Sequence, residues 1–152
     1  MFTVALLEPQ IPQNTGNIAR LCAAAEMELL IVGRAGFRLD DKYLKRAGLD
    51  YWEFVRIRLV PDADRFLAEL DMERTYLLTT KSNQPYTQID PQPGDLFLFG
   101  KETAGLPAWL LTANPAACYT IPMKNKQARS LNLATSVGIV MYHALSRYNF
   151  GL

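Results

Sequence analysis

The chain has 152 residues, of which 49% are hydrophobic and 20% charged, and a net charge of +1 at pH 7. That balance predicts one domain over 1–152, able to bury about 68–70% of its unfolded surface, and excludes a disordered chain. The near-zero charge excludes a histone-like or tail-driven nucleic-acid binder while leaving room for a local basic site.

FTVALL (2–7) reads as a buried strand. A helix follows over roughly 15–26, with Ile18, Leu21, Cys22 and Ala25 on one face and Asn14 or Thr15 as its cap. ELLIVG (28–33) is a second strand ending in glycine, and DDKYLKRAG (40–48) a short helix with an aspartate start and a glycine stop. WEFVRIRLV (52–60) predicts a third strand that alternates Val55, Ile57 and Leu59 with Arg56 and Arg58. DADRFLAEL (62–70) is a helix after Pro61; RTYLLTT (74–80) and DLFLFG (95–100) are the fourth and fifth strands. GLPAWLL (105–111) is a turn or short helix, ACYTIP (117–122) a sixth strand, and a long helix runs from Ser130 to about Arg147. Continuous apolar strands alternating with helices predict an α/β fold, a parallel sheet of about six strands flanked by helices on both faces. In such sheets ligands sit outside the carboxyl ends of the strands, which points to the loops after residues 7, 79, 99 and 121.

Several chemistries lack their residues. Cys22 and Cys118 are far apart with no CxxC, so neither a zinc site nor a disulfide framework is expected, and a reducing cytoplasm is the default location. The start, MFTVALLEPQ, has no positive leader, and no apolar run approaches the ~20 residues that span a bilayer, so no membrane partner is expected. There is no GxGxxG and no GxxxxGK[ST]. The single histidine, His143, falls late in the last helix and reads as a surface or interface residue, which argues against Ser-His-Asp chemistry. Asp40, Asp41 and Asp50 have no metal-ligand spacing.

Three polar stretches stand in or just after the strand-end loops. In NTGNIAR (14–20), a cap accounts for Asn14, Thr15 and Gly16 but not for Asn17 and Arg20, which project from one helical face and place an amide and a guanidinium near a helix start, a setting for a phosphate or a ribose edge. In FGKETAGLP (99–107), either a glycine-rich turn is all that is needed, or Gly100 lets a ligand approach the backbone and Glu102 holds an amino or hydroxyl group. In IPMKNKQARSLNLATSVGIVMYHAL (121–145), Ser130 is the expected cap and Asn132 sits in the first turn, able to point back at the loops. Lys124, Lys126 and Arg129 make a basic stretch that is either solvated surface or a phosphate contact.

Taken in order, N-T-G-N-x-x-R, G-x-E-x-x-G-L and S-L-N-L resemble the three-motif pattern of the SPOUT (SpoU-type) RNA ribose 2′-O-methyltransferases. EPQIPQNTGNIARLCAA, DDKYLKRAGLDYWEF, LLTTK and GKETAGLP are similar to the minimal tRNA (cytidine/uridine-2′-O-) methyltransferases that act on the wobble nucleotide, so the likeness covers nearly the whole chain. The resemblance implies an α/β-knot with a C-terminal trefoil, a homodimer, S-adenosylmethionine as methyl donor, tRNA as partner and no metal. Carried over by position, it implies a cofactor pocket from Leu78, Thr79, Thr80, Gly100, Glu102, Ile121, Ser130 and Leu131, with Leu78, Ile121 and Leu131 as apolar walls for adenine. It implies a catalytic set of Arg20, Asn14, Glu102, Ser130 and Asn132, and RNA contacts from Arg20, Lys45, Arg46, Arg129 and Tyr142. Lys42 is a further basic candidate, for which a solvated face serves as well. The family assigns the motif-one arginine to deprotonation of the ribose hydroxyl, but a guanidinium with a pKa above ~12 favours an electrostatic role. Ala104 and Ala134 depart from the pattern, replacing a basic residue of some relatives and a common serine. An RNA-binding module without catalysis, a flavodoxin-like nucleotide binder and a ribosomal-RNA enzyme remain as competing readings.

Overall fold

The computed structural model describes residues 1–39, 42, 46 and 53–151. Within them run six strands, β1 (Thr3–Leu7), β2 (Glu28–Val32), β3 (Arg56–Val60), β4 (Thr75–Leu78), β5 (Leu96–Gly100) and β6 (Cys118–Tyr119). The α-helices are α1 (Pro12–Ala24), α2 (Ala63–Ala68), α3 (Ala108–Ala113) and α4 (Leu133–Arg147). All strand pairs are parallel, in the order β3-β2-β1-β5-β4-β6. Of the helix expected over 40–48, only Lys42 and Arg46 fall within the described residues, where both are helical and exposed; Asp40, Asp41, Lys45 and Asp50 lie outside them.

The apolar runs of the sequence arise because the central strands are covered twice. Successive side chains of a strand face opposite sides. On one side Val4, Leu6, Leu29, Ile31, Phe97 and Phe99 pack under α1 and α4, against Ile18, Cys22, Val137, Val140 and Met141. On the other, Ala5, Leu7, Leu30, Val32, Leu77 and Leu98 pack under α2 and α3, against Leu67, Leu106 and Leu110. Both cysteines are free thiols in these layers; burial pushes Cys22 up to about 12 and raises Cys118, so neither offers a thiolate.

Some expectations are corrected. α1 starts at Pro12, with Ile11 as N-cap, so Asn14 and Thr15 lie inside the first turn and are buried. Proline carries the φ a first helical residue needs and has no N–H to satisfy there. The last helix starts at Leu133, and its cap is Asn132, not Ser130. Leu59 is 52% exposed although alternation sets it beside Ile57, because β3 is an edge strand whose end α1 and α4 do not cover. β6 keeps only two residues of ladder; beyond it Thr120 pairs with Pro85 in an isolated bridge. His143 is half-buried, edge-on to Tyr86 with ring centroids 5.2 Å apart. Among the described residues no helix is long and apolar enough to cross a membrane.

Candidate active site

The carboxyl ends of β1, β4, β5 and β6 meet on one edge of the sheet. β5 ends at Gly100, opposite Leu7 of β1, with φ +117°. A Cβ built on Gly100 would lie 2.6 Å from the Leu7 carbonyl oxygen and 3.0 Å from its nitrogen, so only glycine lets β5 stay in register and turn there. The turn brings residues 101–105 back over the start of α1.

That turn fastens to the loop after β1. The Glu102 carboxylate accepts the backbone N–H of Gln10 at 2.9 Å and of Ile11 at 3.0 Å, and the Asn14 Nδ2 at 3.5 Å. Thr103 Oγ1 donates to Gln10 Oε1 at 2.9 Å, and Lys101 Nζ to Glu8 Oε2 at 2.9 Å. An anion beside the start of α1 is also favoured by the helix dipole. The same Asn14, only 6% exposed, accepts Asn132 Nδ2 at 3.0 Å on its Oδ1, while Asn132 Oδ1 caps α4 by accepting the Thr135 N–H at 3.1 Å. Glu102, Asn14 and Asn132 thus form a continuous hydrogen-bonded row drawn from three distant segments, and its members hold one another in place. Asn132→Ala removes both the cap and the tie to Asn14. We expect a loss of about 1–2 kcal/mol, or roughly 2–8 °C in Tm. Asn132→Ser, which keeps a capping oxygen but cannot reach Asn14, should recover part of it in thermal melts.

Beside this row opens a cavity of about 360 Å³. Leu78, Thr79, Thr80, Gly100, Glu102, Ile121, Ser130 and Leu131, expected from the sequence to share a pocket, all line it. Arg129 does as well, from the basic stretch before α4. Apolar walls come from Leu78, Ile121, Leu131 and Leu133, and hydroxyls from Thr79, Thr80, Ser130 and Ser136. Asn14 stands behind the wall, reached through Glu102. Arg20 is exposed on α1, as is Asn17, and neither is part of the cavity wall. Tyr142 is exposed on α4 against the ring of Phe150, 6.1 Å between centroids, and Arg46 is exposed as well; neither belongs to the cavity.

The sequence reading missed Lys101, Tyr119, Met123 and Leu133 as lining residues. Tyr119 and Leu133 had a signal, since each stands at a strand or helix end already under suspicion. The Lys101–Glu8 pair had none, because its partners are 93 residues apart.

With this geometry in hand, comparison with known proteins is specific. A tRNA (cytidine(34)-2′-O)-methyltransferase from Escherichia coli (strain K12) is 45% identical over 145 residues, covering 95% of this chain and 92% of its own. A solved structure that gives insight into the 2-OH methylation of C/U34 on tRNA superposes with a TM-score of 0.89 at 37% identity, covering 98% of this chain and 91% of that one. An AdoMet-bound rRNA methyltransferase from Sinorhizobium meliloti superposes with a TM-score of 0.81 at 26% identity, over 96% of this chain and 56% of that one. The model of the SpoU rRNA Methylase family matches residues 1–142. By its three converging motifs and by this match over nearly its full length, the chain belongs to the SpoU methylase family.

Proposed function

We propose that this protein is a tRNA 2′-O-ribose methyltransferase, which moves a methyl group from S-adenosylmethionine to the ribose 2′-hydroxyl of the wobble nucleotide, cytidine or uridine 34. The observation that carries the reading is the row Glu102–Asn14–Asn132, which gathers the three motif segments beside one cavity. The relatives' names supply the tRNA position. The test is to map 2′-O-methyl groups in tRNA incubated with S-adenosylmethionine, with and without the protein. We expect one new mark at nucleotide 34; no incorporation, or incorporation only into ribosomal RNA, defeats the reading.

The residues fit the donor. A volume of about 360 Å³ lies within the ~300–1,000 Å³ of small-molecule sites. Its donor set is mostly neutral hydroxyls between apolar walls, with Lys81, Lys101 and Arg129 as the cations and Glu102 as the acid, which suits an adenosine bearing a charged amino-acid tail. Leu78, Ile121 and Leu131 would flank the adenine, and the backbone of Thr79, Thr80 and Gly100 would meet its polar edges. When bound, the donor supplies a methyl already activated by a positive sulfur. The chain's own task is to present a poor nucleophile, a neutral hydroxyl. Arg20 would hold a phosphate of the RNA and stabilise negative charge developing on O2′. Asn14, Glu102, Ser130 and Asn132 would fix the two reactants, and orientation of this kind is worth about 7–11 kcal/mol in well-aligned systems. Arg46, Arg129 and Tyr142 would grip an unpaired loop.

The reading carries a knotted C-terminus, a homodimer and a cytoplasmic setting with it. Support for the knot is that residues 118–120 lie between β4 and the stretch 84–86 that follows β4, through Tyr86 N–H to the Thr120 carbonyl and Thr120 N–H to the Gln84 carbonyl, both 2.8 Å. Support for the dimer is the outer side of α4, where Gly138 has open space and Phe150, just beyond the helix, is 49% exposed.

A further inference from the structure

We infer that a second cavity, at the carboxyl ends of β2 and β3, is an RNA subsite that receives an unpaired nucleotide flanking the methylated one; this rests on the tRNA reading above. The cavity measures about 590 Å³ and is lined by Gly33, Arg34, Phe37, Arg38, Leu59 and Pro61, among others. Arg34 and Arg38 are exposed, Phe37 is half-buried, and among the described residues no acidic side chain lines the cavity. In a chain of net charge +1, the cavity sets two guanidiniums over an apolar floor. This is the chemistry that takes a nucleotide: cations for the phosphate, and an aromatic or guanidinium plane on which an unpaired base stacks. Leu59, left open by the edge position of β3, widens the apolar wall.

The two cavities share one edge of the sheet and one loop. In the strand order they stand on opposite sides of β1, three to four strand spacings of about 4.8 Å apart, roughly 15 Å. That is a span for a short unpaired run rather than a separate molecule. The loop after β1 lines neither cavity but packs against lining residues of both. Gly36 N–H donates to the Pro9 carbonyl at 2.8 Å, and a Cβ on Gly33 would lie 2.8 Å from Glu8 Cγ. On its other side, the N–H groups of Gln10 and Ile11 bind Glu102 at the first cavity. An RNA held in the second cavity therefore meets Gly33 and Gly36, which pack on the loop that leads into Asn14 and Arg20.

The test uses the full-length protein and an anticodon stem-loop RNA. The double variant Arg34→Gln, Arg38→Gln should raise KM for this RNA about tenfold, with a smaller effect on kcat. It should also lower the slope of log affinity against log salt by about 1–2. The Kd for S-adenosylmethionine, read by calorimetry, should stay within twofold. With 2-aminopurine placed in turn at each loop position beside nucleotide 34, one position should be quenched on binding to wild type, and Phe37→Leu, which keeps an apolar wall but removes the ring, should relieve the quenching. RNA affinity and salt slope at wild-type values in the double variant overturn the subsite, as does quenching that Phe37→Leu leaves in place. Wild-type protein that methylates tRNA while these variants behave like it defeats the subsite alone; wild-type protein that neither binds nor methylates tRNA defeats the reading beneath it as well.

Discussion

Arg20→Ala should abolish methyl transfer to tRNA while leaving S-adenosylmethionine binding almost intact. The side chain is exposed on α1 and forms no part of the 360 Å³ cavity, so its loss changes no wall of the proposed donor site. A thermal melt of the variant separates any change in stability from the change in turnover. The arginine's effect belongs to the reacting oxygen. Removing a single preorganised donor aimed at developing negative charge typically costs about 10²–10³-fold in kcat, and Arg20 is expected to serve that charge and a phosphate together, so the fall should reach at least the upper end. Arg20→Lys keeps the charge but loses the planar fork that grips a phosphate bidentately, and should recover only a minor part. Single-turnover methyl transfer, with calorimetry for the donor, separates the two quantities. Normal turnover in Arg20→Ala would remove the arginine from the mechanism; lost donor binding would place it in the cavity instead.

The parts of the fold that the sequence displays are those governed by local pattern. β1, β2 and β5 are legible as FTVALL, ELLIVG and DLFLFG because strands buried on both faces have no polar alternation to confuse. The boundaries that shifted are those that tertiary contacts decide. Asn14 resembles a helix cap until Glu102, 88 residues away, is known to hold it inside the first turn together with the backbone just before the helix. Ser130 resembles a cap until Asn132 is seen to reach both Thr135 and Asn14. Leu59 resembles a core residue because alternation does not say which strand stands at the sheet edge. For the site, the strand-end rule and the family motifs together name the cavity wall, since both refer to positions along the chain. Neither reaches the second cavity, whose chemistry arises only when residues 31–39 and 59–61 are brought side by side by the pairing of β2 with β3.

Gly100→Ala should be severely damaging. Its Cβ would meet two backbone atoms of Leu7, the oxygen at 2.6 Å and the nitrogen at 3.0 Å. Leu7 cannot retreat: it belongs to β1, paired on one side to β2 and on the other to β5, with its side chain 2% exposed in the layer under α2 and α3. The φ of +117° adds strain for any L-residue. Strain of about 1–3 kcal/mol and overpacking of about 1–3 kcal/mol together approach roughly 3–5 kcal/mol, a large share of the ~5–15 kcal/mol that holds a domain together. Relief by moving the 101–105 turn would pull Glu102 from Gln10 and Ile11, so whatever folds should lose the donor site too. Gly105→Ala is the control. It too has positive φ, +68°, but no atom lies within 4 Å of the added methyl. It should cost only the left-handed penalty of about 1–2 kcal/mol. Thermal melts of the two variants, with donor titrations of Gly100→Ala against wild type, decide the point: a Gly100→Ala protein as stable as Gly105→Ala and binding the donor as wild type does would mean that the close approach of β5 to β1 does not shape this site.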